Sequence, residues 1–587
     1  MSACGPVATP AAHAEVARID VADEGVSITG TLAGAGASAG EADLVARRRR
    51  DGAEARSPVD VDGDRFEAYV PFASLPWADP EEPEFWDLSI ALEGGEELRI
   101  GRHLDDVKDK RHAYVFPLRE LELPAGGRRF RPFYDAGNHV FIRTGPRGRG
   151  PAGGPTTPAR PARRSVVPPH DMALHRLATA LARAILRRRG PAWPRARSVQ
   201  RTKVTILIAN AYAMGGTVRT VLNLAGFLAH HHDVEILSIQ RLRTNPFFPL
   251  PPGVKVRVID DQRAHQPLGG WAGRVRALLR PLPSRLIFPA DLRFRNACSL
   301  WTDLMLLRAL WRVREGVVMG TRNGLNLAAL LVRRPGVTVV GQEHMNLETH
   351  TPQRQREIAR RYPGLDAITV LTERDRQTYA QMLRSAPRLE QMPNAAPALD
   401  APPAGLERPI VVAAGRLTLQ KGFDMLIPAF AKVVGRHPEW ALRIYGDGPQ
   451  RKALERLIME HELSNNVLLM GPVKRLDLEM SRASLYVLSS RYEGLPMVMI
   501  EAMSLGLPIV SFDCPTGPAE VIEDGHSGVL VPDGDVDGLA EAMLRVVEDA
   551  GYRSALAAGA SERARDFTLE SIGARWERLI AELSAAG

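Results

Sequence analysis

Glu493 and Glu501 stand eight residues apart, either side of the turn Gly494-Leu495-Pro496. The run from Ser489 to Met503 reads as a strand end, a turn and a helix start, and Pro496 suits the first helical position, where its missing N–H costs nothing. Glu501 then falls about one turn into the helix, while Glu493 stays in the loop. Carboxylates are acceptors only, so this pair suits hydroxyl-rich ligands: Glu501 a ribose diol, Glu493 sugar hydroxyls, with the amides of the turn facing the same place. A helix-capping acid plus a surface glutamate is the plainer alternative. Upstream, Gly415-Arg416-Leu417-Thr418-Leu419-Gln420-Lys421-Gly422 places two cations five residues apart where a strand gives way to a helix. Two cations and a helix N-terminus match a diphosphate; solvated surface charge is the alternative. A third loop, Ala211 to Thr217, carries the doublet Gly215-Gly216 between a strand and a helix. Paired glycines let backbone approach an anion closely, or simply make a tight turn.

Such loops need a frame. From Lys203 onward short β-rich runs alternate with helical segments. The first series of strands is Val204–Ala209, Val234–Ile239, Val254–Ile259, Val317–Gly320, Val337–Val340 and Ala367–Leu371. The second is Ile410–Ala414, Leu442–Tyr445, Val467–Met470, Leu485–Leu488, Ile509–Phe512 and Val529–Val531. Helices between them imply right-handed βαβ units and parallel sheets. The series break at Met392-Pro393-Asn394-Ala395-Ala396-Pro397, a Pro-bounded hinge. The expected α/β architecture is two Rossmann-like domains, 203–394 and 395–587, facing one another across a cleft, with ligands at the carboxyl ends of the strands.

Residues 13–143 differ in kind: short alternating runs at Gly25–Gly30, Phe66–Val70, Trp86–Leu92 and Glu97–Ile100, separated by Gly and Asp turns, predict a small antiparallel β-sandwich. Its Trp77 and Trp86 are read as core residues or as a binding surface. A Pro-, Gly- and Arg-rich linker follows within 144–202, and inside it residues 172–189 predict a basic amphipathic helix. Leu174, Leu177, Leu181 and Ile185 share one face of it; Arg176, Arg183 and Arg187 take another.

The stretches GRLTLQKG, YGDGP (445–449) and SSRYEGLPMVMIEAMSLGLPIVSFDCPTGPAEVI (489–522) together resemble the retaining glycosyltransferases of family 4, which have the GT-B fold. Glu493 and Glu501 match that family's paired glutamates, and the MGGTVRT loop and Gln342-Glu343-His344 are similar to its N-terminal half. The resemblance covers about residues 203–587. It implies sugar transfer from a nucleoside diphosphate sugar, a UDP-sugar, with retention at the anomeric carbon; 203–394 would be the acceptor domain and 395–587 the donor domain. It also implies that Arg416 and Lys421 bind the donor diphosphate, Glu501 the ribose and Glu493 the transferred sugar, with Leu495 and Pro496 in the donor-binding turn. Gly215 and Gly216 would close over the phosphates, and His344 would stand near the reacting sugar. No metal or other cofactor is expected, since the two cations do that work. Cys514-Pro515-Thr516-Gly517-Pro518 is similar to enzymes that build bacterial surface polysaccharides and teichoic-acid-like polymers, so a glycan, polymer or lipid-linked acceptor is expected. A catalytically silent GT-B scaffold is the alternative, although every donor-site position holds the expected residue type.

Composition bounds the rest. The chain has 587 residues, 45% of them apolar and 25% charged, too many for one core and too ordinary for disorder. Three scattered cysteines exclude a disulfide framework, and no secretory signal or membrane-spanning run is visible, which suits a cytoplasmic enzyme. Asp533 to Gly538 imitates a calcium loop but has Leu544 where a bidentate glutamate belongs; it reads as a helix cap. Asp60, Asp62 and Asp64 share that spacing, with Arg65 where glycine is needed. His230-His231-His232 has no second ligand cluster, and Gly34–Gly40 precedes no helix. The net charge of +8 is an average of unlike parts. Residues 144–202 hold thirteen arginines and one acid, +12, whereas the remainder carries 63 basic and 67 acidic residues, −4. No nucleic-acid module accompanies this charge. It suits a helix lying on an anionic membrane surface at the inner face, or a helix docked on the enzyme with a solvated arginine tail.

Overall fold

A computed structural model describes residues 12–586 apart from 35–40, 77–81, 94, 108–109, 124–125, 147–167, 189–200, 264–269, 290, 384 and 386. Trp77, most of the Gly34–Gly40 loop and most of the linker lie outside the described residues. The chain forms two compact units: 1–159 with 405–489 and 535–549, and 160–404 with 490–534 and 550–587.

The first unit begins with the expected N-terminal β-domain. Its strands are β1 (His13–Val21), β2 (Gly25–Ala33), β3 (Ala42–Arg48), β4 (Glu54–Asp62) and β5 (Arg65–Pro71). Then come β6 (Glu84–Leu92), β7 (Glu97–Gly101), β8 (Arg119–Leu123), β9 (Gly126–Tyr134) and β10 (Val140–Pro146). They form one sheet in the order β3-β4-β5-β2-β1-β7-β6-β10-β9-β8, which closes on itself because β3 also pairs with β6. The β3–β6 pairing closes the ring from β3 through β7 to β6, while β10, β9 and β8 extend from β6 and, among the described residues, leave β8 as an edge. All pairings are antiparallel except β1 with β7. Strand β5 shows the patterning: Phe66, Ala68 and Val70 are buried while Arg65, Glu67 and Tyr69 point outward. Trp86 is fully buried, with the Arg48 guanidinium 5.3 Å from its ring, so it is a core residue.

In the second unit a seven-stranded parallel sheet has the order β13-β12-β11-β14-β15-β16-β17. Its strands are β11 (Lys203–Ile208), β12 (Asp233–Arg241), β13 (Lys255–Asp261), β14 (Gly316–Gly320), β15 (Val337–Gln342), β16 (Ala367–Val370) and β17 (Arg388–Gln391). Its order reverses at β11, between β12 and β14, as in a doubly wound fold. β17 has no counterpart in the sequence reading: Arg-Leu-Glu-Gln is an edge strand with one apolar residue, so it lacks the run that marks a buried one. The Leu569–Ala586 helix lies against the Gly216–Leu228 helix so closely that a Cβ on Gly573 would come within 2.3 Å of the Phe227 ring.

The first unit also contains β18 (Ile410–Ala414), β19 (Ala441–Tyr445), β20 (Val467–Gly471) and β21 (Leu485–Leu488), parallel in the order β20-β19-β18-β21. The parallel pair β22 (Ile509–Asp513) and β23 (Val529–Pro532) belongs to the second unit. All five residues of β18 are buried, the signature of a parallel strand covered on both faces.

Within the first unit the β-domain is fastened to these strands by specific bonds. Asn465 behaves as a strand partner, accepting from Ile19 N at 3.0 Å and donating to Ile19 O at 2.9 Å. Leu468 of β20 joins the β-domain core. Asp106 accepts from Arg443 at 2.5 Å and Arg408 at 2.8 Å. Burial would raise the Asp106 carboxyl, but the bonds and charges of these arginines outweigh it and hold it at about 2. A carboxylate depressed below its unfolded value stabilises at neutral pH and loses that stabilisation as pH falls through the interval between the two. Asp106→Asn should therefore cost roughly 2–3 kcal/mol at pH 7, leaving Arg443 buried with a weaker partner. In urea unfolding the difference from wild type should shrink from about pH 5 toward pH 2. A pH-independent difference would contradict the ion-pair assignment.

Candidate functional site

In the first unit β18 ends at Ala414 and the chain turns through Gly415 and Arg416. Arg416 is exposed, and its carbonyl accepts from Thr418 N at 2.7 Å. Lys421 closes a 3-10 turn, Leu419–Lys421, and Gly422 then opens the Phe423–Arg436 helix. Both cations thus precede the helix rather than straddling its start. Gly422 is held at φ 64°, and a Cβ there would lie 1.8 Å from Ser489 O, so only glycine fits. Ser489 Oγ donates to Lys421 O at 2.9 Å, which couples the end of β21 to the lysine backbone. A Cβ on Gly415 would meet the Lys421 side chain at 2.8 Å, so the lysine stem lies across the strand end. The Gly446-Asp447-Gly448 turn packs on the same loop: a Cβ on Gly448 would sit 2.4 Å from Leu417 O. The outcome is an exposed guanidinium and a partly buried ammonium at one buried strand's carboxyl end.

The second unit gathers the other predicted residues. Glu493 is buried at 8% exposure and accepts from Ser490 Oγ at 2.6 Å. Its carbonyl accepts from Thr516 Oγ1, which itself accepts from Asn346 Nδ2 at 3.0 Å. Thr516 stands at φ 64°, a conformation costly for a β-branched residue and retained here by these two bonds. At Gly517, φ 101°, a Cβ would meet Pro496 Cδ at 2.9 Å and Gly494 O at 3.0 Å. The Cys514–Pro518 segment therefore clamps the Glu493–Pro496 turn. Pro496 is the N-cap of the Met497–Ser504 helix rather than its first residue, and its carbonyl accepts from Met499 N at 2.9 Å. Leu495 is buried. Burial, followed by the charges of Glu493 and Asp533, pushes the Cys514 thiol up to about 12, so it is an inert packing residue.

Glu501, one turn into that helix, accepts from Arg219 Nη1 at 3.0 Å. Arg219 lies in the first turn of the Gly216–Leu228 helix, so the Gly215-Gly216 loop and Glu501 share a neighbourhood. Gly215 adopts φ 152°, ψ 152°, a glycine conformation, and a Cβ on either glycine would meet open space. Their backbone is accessible, as an anion-binding loop requires.

His344 follows β15, with Nε2 3.3 Å from Gln342 Oε1, and a Cβ on Gly494 would lie 3.4 Å from His344 O. Burial pushes its imidazole down to about 4, against the opposing charge of Glu343 and a hydrogen bond with Asn394. It is neutral at pH 7. Behind it Glu343 Oε1 accepts from Tyr362 Oη and from Asn326 Nδ2, the latter at 2.9 Å. Sequence reading did not single out Arg219, Thr516, Asn346 or the Glu343–Tyr362–Asn326 network. Arg219 had a signal, an arginine one turn past the glycine doublet; the others are joined only by folding. Asp535 caps the Val536–Glu548 helix through Gly538 N at 2.9 Å, as expected of the loop that imitates a calcium site. His231 and His232 both face the Glu577 carboxylate, at 3.1 and 2.8 Å.

This fold is that of the GT-B glycosyltransferases. The S. aureus TarM structure, solved with fondaparinux, alpha-GlcNAc-glycerol and UDP, superposes with a TM-score of 0.52 at 16% identity, over 65% of this chain and 99% of that one. Residues 400–563 match the family model for glycosyl transferases group 1. An exopolysaccharide phosphotransferase of Streptomyces coelicolor is 36% identical over 387 residues, which are 65% of this chain and 41% of that protein. Amylovoran biosynthesis glycosyltransferase AmsD of Erwinia amylovora is 26% identical over 391 residues, covering 64% of this chain and 99% of its own length. The chain spans less than half the length of the first curated relatives it matches, 41% and 48%.

A histidine depressed to about 4 when folded and near 6.5 when unfolded lets the unfolded chain take up the proton first, so stability falls as pH drops from about 6.5 to 4. His344→Gln removes that component. The wild type should lose stability relative to the variant across this window, and the His344 ring should titrate by NMR with a midpoint near 4. A midpoint near 6.5 would contradict the neutral imidazole.

Proposed function

We propose that the chain is a retaining glycosyltransferase that moves a sugar from a UDP-sugar to a bacterial surface glycan, a teichoic-acid-like polymer or a lipid-linked acceptor. The observation that carries the reading is the pair of strand-end constellations: Arg416 with Lys421 after β18, and buried Glu493 with Glu501 after β21, both inside the matched domain. As the bond from the anomeric carbon to the donor phosphate breaks, negative charge grows on the departing oxygen. Fixed cations at that position stabilise the transition state more than the ground state. Arg416 and Lys421 fill that role without a metal. Glu501 holds the ribose hydroxyls, exchanging its bond with Arg219 for one to the diol, and Gly215 and Gly216 offer amides to the phosphates. Glu493, oriented by Ser490, accepts from hydroxyls of the transferred sugar. Neutral His344 can give or take a hydrogen bond near the reacting carbon without adding charge. The acceptor class is supported by the relatives: AmsD is named for amylovoran biosynthesis, and TarM was solved with alpha-GlcNAc-glycerol.

A panel of sugar nucleotides, read by thermal stabilisation and slow donor hydrolysis, should single out a UDP-sugar; folded protein that responds to none would remove the reading. Glu501→Ala should weaken donor binding by calorimetry at least tenfold, and unchanged affinity would exclude the ribose role. Arg416→Ala should lower kcat by about 10²–10³, the usual loss for one group that stabilises a developing oxyanion.

A further inference from the structure

The Pro169–Arg187 helix has two apolar faces. Met172, His175, Thr179, Ala182 and Leu186 turn inward, each below 9% exposure, and Met172, Ala182 and Leu186 join a core with Leu286, Phe288 and Leu330. His175 Nδ1 lies 2.9 Å from Arg285 O, and Asp171 pairs with Arg285 at 2.7 Å and Arg295 at 3.0 Å. The helix is docked. The row the sequence marked as its apolar stripe is on the other side: Leu174, Leu177, Leu181 and Ile185 are 42, 68, 61 and 40% exposed. Exposed Ala173, Ala180 and Ala184 fill the gaps between them. A continuous aliphatic ridge of this kind on a folded unit marks a surface that something covers.

The charge beside the ridge is mainly positive. A recess of about 600 Å³ runs along the C-terminal half of the helix, lined by Arg183, Arg187, Arg333 and Arg334, with Asp366 as its one carboxylate among the described residues. Asp366 is engaged by Arg333 at 2.7 Å. Burial, then the charges of Arg187 and Arg333, push the Arg183 guanidinium below its ordinary value. Arg176, Arg187 and Arg188 are exposed along the flank. Among the described residues no helix is long and apolar enough to cross a membrane.

We propose that this helix is the face by which the protein lies on an anionic phospholipid surface, its leucine row entering the acyl boundary and its arginine recess taking phosphate headgroups. Aliphatic side chains edged by arginine are what an interfacial helix needs. The described helix and its C-cap carry Arg176, Arg183, Arg187 and Arg188 against one carboxylate, Asp171, which Arg285 and Arg295 already engage, so an anionic surface attracts this face. A second copy of the chain would instead bring arginine recess against arginine recess, and a nucleic acid has no use for the leucines. The proposal rests on the helix and the recess beside it and is independent of the donor chemistry.

The test is flotation of the full chain with phosphatidylcholine vesicles, with and without about 30 mol% phosphatidylglycerol. Binding should require the anionic lipid and weaken with salt. Leu177→Ser/Leu181→Ser should reduce it at least tenfold, as should Arg187→Glu/Arg188→Glu, while thermal unfolding stays within a few degrees because these side chains are exposed. Inorganic phosphate at millimolar level should not displace the protein, since a free anion satisfies only the recess. No binding to anionic vesicles, equal binding by the leucine variant, or a leucine-dependent dimer in sedimentation without lipid would each overturn the proposal.

Discussion

A parallel strand covered on both faces is closed to ligands along its length, so chemistry is forced to its carboxyl end. Every candidate site residue obeys that constraint. β18 is buried throughout and delivers Arg416 two residues past its end; β21 is buried throughout and delivers Ser490 and Glu493. β15 delivers Glu343 and His344, and the loop after β11 delivers Gly215 and Gly216. The strand ends are then held in place by contacts that only particular residues allow. Gly422 must be glycine because Ser489 O occupies the place of its Cβ, and Thr516 tolerates φ 64° because Glu493 O and Asn346 hold its hydroxyl.

Strain of that kind is affordable only on a rigid frame. In the second unit Glu493 is buried against Ser490, and Glu343 against Tyr362 and Asn326, so their carboxylates are oriented before any ligand arrives. Arg219 does the same for Glu501, through a bond that a diol could replace. Such preorganisation favours binding and transition-state stabilisation because little reorganisation remains to be done.

Much of this was legible in the sequence because local signals and tertiary role coincide. Apolar runs ending in Gly, Arg or Glu mark buried strands and their functional ends, and the Glu493–Glu501 spacing fixes which helix turn the second carboxylate occupies. What stayed hidden depended on neighbours distant in sequence. Thr516 gains its meaning from Asn346, 170 residues away. In the β-domain, β4 has only Val59 buried, too little patterning to announce a strand. The linker helix shows the limit most clearly. Its leucine periodicity is real, yet His175, Thr179 and Ala182 face the core instead, because Asp171 and His175 fasten that side to Arg285 and Arg295. Periodicity identifies a face, and only packing says what the face meets.

The proposed reaction is transfer of a sugar with its anomeric configuration kept. Proton NMR of the first product formed from an α-linked UDP-sugar, read before mutarotation, tests it most directly. Retention gives an α-configured anomeric signal with its small coupling constant; a β-configured first product would contradict it.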